Sequence, residues 1–224
     1  IMKQAIIIIL CLLSVQAIAQ WKSYYPEEKS NKKKTIKQDL EKDNLKYNNY
    51  LFGALKEKSL ENFEEALKQF QKCIKMDEKQ ALPFYESAII NKHQGNLELA
   101  EEQIKIATTL EKNNRWYQLA YAEILFSNQD FKNAVVQYKK LILREPGNEE
   151  LYYFLADAYI YDNNLLKAIG VYDKLEEKKG IEKMISMQKH KLYMQLKKKK
   201  SAINELLKLI DAFPNDIKVL EILS

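Results

Sequence analysis

Few residues in this 224-residue sequence are of the types that catalyse reactions, and their spacing assembles no reaction centre. The two histidines, His93 and His190, stand nearly half a chain apart and share no metal-ligand spacing. Cys73 recurs at a position where the chain elsewhere places Ala or Leu, which marks it as a buried small hydrophobe. No Gly-rich phosphate loop and no G-x-S-x-G nucleophile elbow are present. Acidic residues are plentiful but fall on the polar faces of helical patterns. These features point away from an enzyme, a metal site and a cofactor. Binding chemistry is better served, because Trp and Tyr bury much area at little entropic cost and the chain holds 2 Trp and 14 Tyr.

The elements that must carry such residues are helices. The stretch "FKNAVVQYKKLILREPGN" (131–148) spaces its apolar residues at three and four positions, and Pro146-Gly147-Asn148 ends it. Glycine (5) and proline (4) are scarce, and both disfavour helix interiors, by about 1 and 3 kcal/mol respectively. No hairpin signal separates alternating apolar runs. The predicted fold class is all-α.

A net charge of +5 on a chain that is 30% charged, with both signs interspersed, lacks the one-sided basic face of a nucleic-acid binder. The lysine runs at 32–34 and 197–200 read as solvated. Residues 1–19 have the parts of a secretory signal peptide: Lys3, an apolar run over 5–15, and Ala17-Ile18-Ala19. The expected cut lies between Ala19 and Gln20, which predicts an exported protein of the periplasm or cell envelope. The apolar run is too short for a membrane span, which needs about 20 residues. Cys11 lacks the small preceding residues of a lipidation site, since Ile9 and Leu10 are large. Residues 20–46 form a polar, lysine-rich linker, read as mobile through Lys34 and as a short helix from Thr35.

Beyond residue 46 the chain repeats every thirty-four residues. Alanines form one column at Ala66, Ala100, Ala134, Ala168 and Ala202. A second small column holds Ala54, Ala88, Ala122 and Ala156, with His190 in the fifth place. Larger apolar columns flank them, among them Phe70, Ile104, Tyr138, Tyr172 and Leu206. Two small columns at this spacing describe helical hairpins whose backbones approach closely, where a bulky residue would overpack the contact by about 1–3 kcal/mol. His190 therefore predicts looser packing in the fifth hairpin.

These columns resemble the tetratricopeptide repeat, whose period is 34 residues and whose pattern ends A-x₃-F…P. The resemblance covers 47–80, 81–114, 115–148, 149–182 and 183–216, with a sixth repeat begun at 217–224 and expected to continue. Export joined to lysine- and asparagine-rich repeats is also similar to tetratricopeptide proteins of Bacteroidota. The resemblance implies a right-handed superhelical solenoid of antiparallel helix pairs, with a concave groove lined by the first helix of each repeat. It assigns to that groove Tyr85 and Ile89 with Lys92, then Trp116, Leu119, Glu123 and Phe126, then Glu150, Tyr153 and Asp157. The carboxylate-gripping version of the family is not matched, because Leu51, Leu55, Glu86, Trp116 and Ala120 stand where its basic and amide residues would be. The function implied is a protein-binding scaffold or adaptor whose partner is a protein or peptide. The alternative is a structural subunit of an envelope or secretion assembly, held through its convex face and ends.

Overall fold

The computed structural model describes residues 28–214, with side chains from residue 37 onward. The signal-like segment, its cleavage point and the start of a sixth repeat lie outside the described residues. Among those described there are ten helices and no strand. The first is long, α1 (Glu28–Ser59). Nine shorter helices follow: α2 (Phe63–Met76), α3 (Ala81–His93), α4 (Leu97–Leu110), α5 (Arg115–Ser127) and α6 (Phe131–Arg144), then α7 (Glu149–Tyr161), α8 (Leu165–Lys179), α9 (Lys183–Gln195) and α10 (Lys199–Ala212).

Residues 28–34, read from composition as mobile, belong to α1, which runs without a break into the first repeat. The reason is local. Lys and Glu are good helix formers, and no Pro or Gly stands between Pro26 and Gly53. From residue 37 to 46 nearly every side chain is exposed, so this stretch of α1 is held by helix propensity rather than by packing.

The ten helices, beginning with the end of α1, pair as five antiparallel hairpins through short turns, and each turn uses one conformation. Glu61, Gly95, Gln129, Asn163 and Lys197 have φ between 56° and 80° and recur every thirty-four residues. In the second repeat the Asn96 N–H donates to the Asn91 carbonyl at 2.9 Å and the Gly95 N–H donates to Lys92 at 3.1 Å. The same two bonds close the other four turns, as in Asp130 to Leu125 and Gln129 to Phe126. This is the Schellman arrangement, which satisfies carbonyls left over at a helix end.

Both small columns are fully buried: Ala54, Ala88, Ala122 and Ala156 face Ala66, Ala100, Ala134 and Ala168, all at 0% exposure. Cys73 is buried as expected, and burial raises its thiol pKa. Successive apolar clusters run from Ala54 and Phe70 in the first repeat to Ile185 and Leu192 in α9. The fifth repeat departs from its predecessors in a way that His190 only partly signals. The imidazole is half-buried, with Nδ1 3.0 Å from the Ala202 carbonyl, while Ala202 stays fully buried. Packing within this hairpin is not loosened. The thin contact lies instead between repeats four and five, where α8 and α9 touch less than any other consecutive helices. A charged group centred on Lys189 occupies part of that interface, beside the apolar contacts of Ile185 and Leu192.

Candidate partner-binding face

The first helices of successive repeats lie side by side and are stitched across their common face. Lys58 pairs with Glu86 from α1 to α3. Lys92 pairs with Glu123 at 2.6 Å from α3 to α5. From α5 to α7 the link becomes aromatic, with Phe126 edge-on to Tyr161 at 5.2 Å and to Phe131 at 5.3 Å.

Below these links lies a cavity of about 270 Å³, lined by Lys92, Glu123, Phe126, Ser127, Tyr138, Phe154 and Asp157. Four residues assigned to the groove by resemblance, Lys92, Glu123, Phe126 and Asp157, are thus brought together. The others divide. Tyr85 is half-buried and stacks on Tyr117 at 4.6 Å. Ile89, Leu119 and Tyr153 are partly buried against the core, and Tyr153 lies 6.3 Å from Tyr172. Glu150 is exposed. Trp116 is 60% exposed with the Arg115 guanidinium 4.7 Å from its ring, and it does not line the cavity.

Three lining residues, Ser127 and the aromatic Tyr138 and Phe154, escaped sequence reasoning. Tyr138 belongs to a column that reads as core, yet its ring also forms a wall of the cavity. Phe154 had a usable signal: repeats two, three and five hold Glu86, Ala120 and Gln188 at its position, and only Phe52 in the first repeat matches it. Tyr138 and Phe154 meet at 5.6 Å.

The charges are arranged unequally. Glu123 is neutralised by Lys92, whereas Asp157 makes no ion pair or hydrogen bond among the described residues. Asp157 is open to solvent but sits in a concavity, and partial loss of water raises its carboxyl pKa. Burial raises the Tyr138 phenol, helped by the nearby carboxylates of Glu123 and Asp157, so the phenol remains a hydrogen-bond donor. No group of three or more His, Cys, Asp or Glu among the described residues could hold a metal ion. No helix there is long and apolar enough to cross a membrane.

Residues 49–80 match a family described as "Tetratricopeptide repeat", and residues 93–146 match "YpiA-like, tetratricopeptide repeats". The chain is a tetratricopeptide repeat protein. No curated protein matches the sequence. Solved structures resemble it in fold. YrrB, described as "a TPR protein with an unusual peptide-binding site", aligns at TM-score 0.60 with 16% identity over 77% of this chain and 89% of that one. MamA from Desulfovibrio magneticus RS-1 aligns at 0.62 with 19% identity, covering 76% and 97%. PilF from Pseudomonas aeruginosa aligns at 0.51 with 14% identity, covering 77% and 79%. A tetratricopeptide repeat array is a scaffold for protein–protein contacts, because stacked hairpins expose a long continuous surface.

Proposed function

We propose that this tetratricopeptide repeat protein is a non-catalytic adaptor of the cell envelope that binds a partner segment along its first-helix face. The observation that carries the reading is the cavity at Phe126, Tyr138 and Phe154, which couples aromatic walls to an unpaired carboxylate beside the Lys92–Glu123 ion pair. A structure of the same fold, YrrB, is described as having a peptide-binding site, which supports the class of ligand. The envelope location rests on the signal-like residues 1–19 alone. The reading in which the chain is a structural subunit draws support from apolar side chains exposed on second helices, among them Leu143 at 83% and Leu207 at 46%.

The two readings separate in one experiment. Partner captured from envelope extract is titrated against the wild type, Trp116→Ala with Phe126→Ala, and Leu143→Glu. Anchors of this kind contribute about 2 kcal/mol or more each, so the double variant should bind at least about a hundredfold more weakly. Leu143→Glu should bind as the wild type does. The reverse pattern, with both variants folded by thermal melting, would move the interaction to the second helices.

A further inference from the structure

We infer that the cavity between α5, α6 and α7 receives one lysine or arginine side chain of the partner segment, with Asp157 as its counter-charge; this rests on the groove reading above. Size comes first. At about 270 Å³ the cavity falls below the range of roughly 300–1,000 Å³ typical of small-molecule sites, and it suits a single long side chain.

The walls fit a cation on an aliphatic stem. Phe126, Tyr138 and Phe154 offer ring surface that covers methylenes and attracts positive charge. The rings are already fixed. Phe126 is held edge-on by Phe131 and Tyr161, and Phe154 lies 5.6 Å from Tyr138, so little ordering is needed on binding.

Charge then selects the occupant. Lys92 and Glu123 cancel at 2.6 Å, leaving Asp157 as the one uncompensated charge in the lining among the described residues. An acidic side chain would meet repulsion. A neutral apolar one would strip more water from Asp157 and return no partner, which is unfavourable for a carboxylate. A lysine or arginine satisfies both the rings and the carboxylate.

The test does not depend on the partner's identity. A displayed library of random peptides is selected on the wild type and on Asp157→Asn in parallel. Capped Leu-Leu-Arg-Leu-Leu and its citrulline counterpart, which keeps the shape and removes the charge, are then titrated against each protein. The wild type should enrich peptides with a basic residue among apolar ones and prefer arginine to citrulline by about tenfold or more. Asp157→Asn should lose that preference while melting as the wild type does, since Asp157 is exposed. Lys92→Ala, which releases the Glu123 carboxylate, should increase the preference. Enriched peptides without basic residues, equal binding of the two probes, or a smaller preference in Lys92→Ala would overturn the inference and leave the groove reading in place. No enrichment on either protein would overturn both.

Discussion

Lys189 is 1% exposed and surrounded by carboxylates from two neighbouring helices: Asp173 at 2.7 Å and Glu176 at 2.6 Å on α8, and Glu205 at 3.1 Å on α10. Ser186 donates to the second oxygen of Glu176 at 2.9 Å, and Lys208 reaches Glu205 at 3.0 Å. Glu205 Oε2 approaches the Lys189 ammonium without a well-aligned hydrogen bond. Burial alone would lower the pKa of the ammonium, but its contacts with the three carboxylates outweigh this and hold it above the ordinary lysine value. A folded-state pKa above the unfolded one means that the stabilisation is fully present below about pH 10.4 and is lost as pH rises through the folded value. Stability from this group should therefore be flat through neutral pH. Lys189→Met would leave the buried carboxylate of Glu176 with Ser186 but no cation, and that of Glu205 with Lys208 alone, a loss of about 3–5 kcal/mol. Denaturant midpoints read the loss, and adding Glu176→Gln and Glu205→Gln to Lys189→Met should recover part of it. A loss below about 1 kcal/mol, the size of a surface ion pair, would show that the carboxylates reach water instead.

At the level of elements, the five hairpin turns share a left-handed residue, but only the second repeat places glycine there. A side chain in that region is disfavoured by about 1–2 kcal/mol, partly offset by the smaller entropy that a non-glycine residue loses on folding. Gly95→Ala should therefore lower stability by about 1 kcal/mol, because its φ is +80° although the space around it is open. Lys197→Gly, at φ 56° in the corresponding turn of repeat five, should raise stability by up to about 1 kcal/mol. The two changes have opposite signs in a denaturant titration. Equal signs would mean that neighbouring contacts rather than backbone conformation set the energy of these turns.

On the scale of the whole array, the apolar core is divided into successive clusters, one of which fills repeats three and four and ends at Ile185 and Leu192 in α9. Leu206 and Leu209 form a separate cluster with Met187 and Ile210, on the far side of the charged group around Lys189. The junction also contains Gly180 at φ 85° and ψ −170°, a conformation essentially confined to glycine. Repeat arrays gain stability from each repeat and from each interface between neighbours, so a thin interface makes a weak link. Amides in α9 and α10 should accordingly exchange hydrogen through a lower-energy opening than those of α5 to α8. They should also exchange faster than amides of α2, where Phe70 ties the first repeat to Ile90 of the second. Equal protection across α2 and α5 to α10 would rule out a separate opening unit.

The sequence by itself determined the repeat. Alanine columns, hairpin turns and helix starts recur every thirty-four residues because helix geometry and close backbone contact depend on short-range spacing, which a single chain displays directly. The resemblance that those columns carry implied the face on which Glu123, Phe126 and Asp157 lie. Only the tertiary structure decided how residues on that face pair. Lys92 and Glu123 are thirty-one residues apart, and Tyr138 and Phe154 meet across two helices, so periodicity names their faces without naming their neighbours. The same limit hid Lys189, whose polar type reads as solvent-facing until α8, α9 and α10 close around it. The unbroken length of α1 shows a different limit, since polar composition alone cannot distinguish a solvated helix from an unstructured linker.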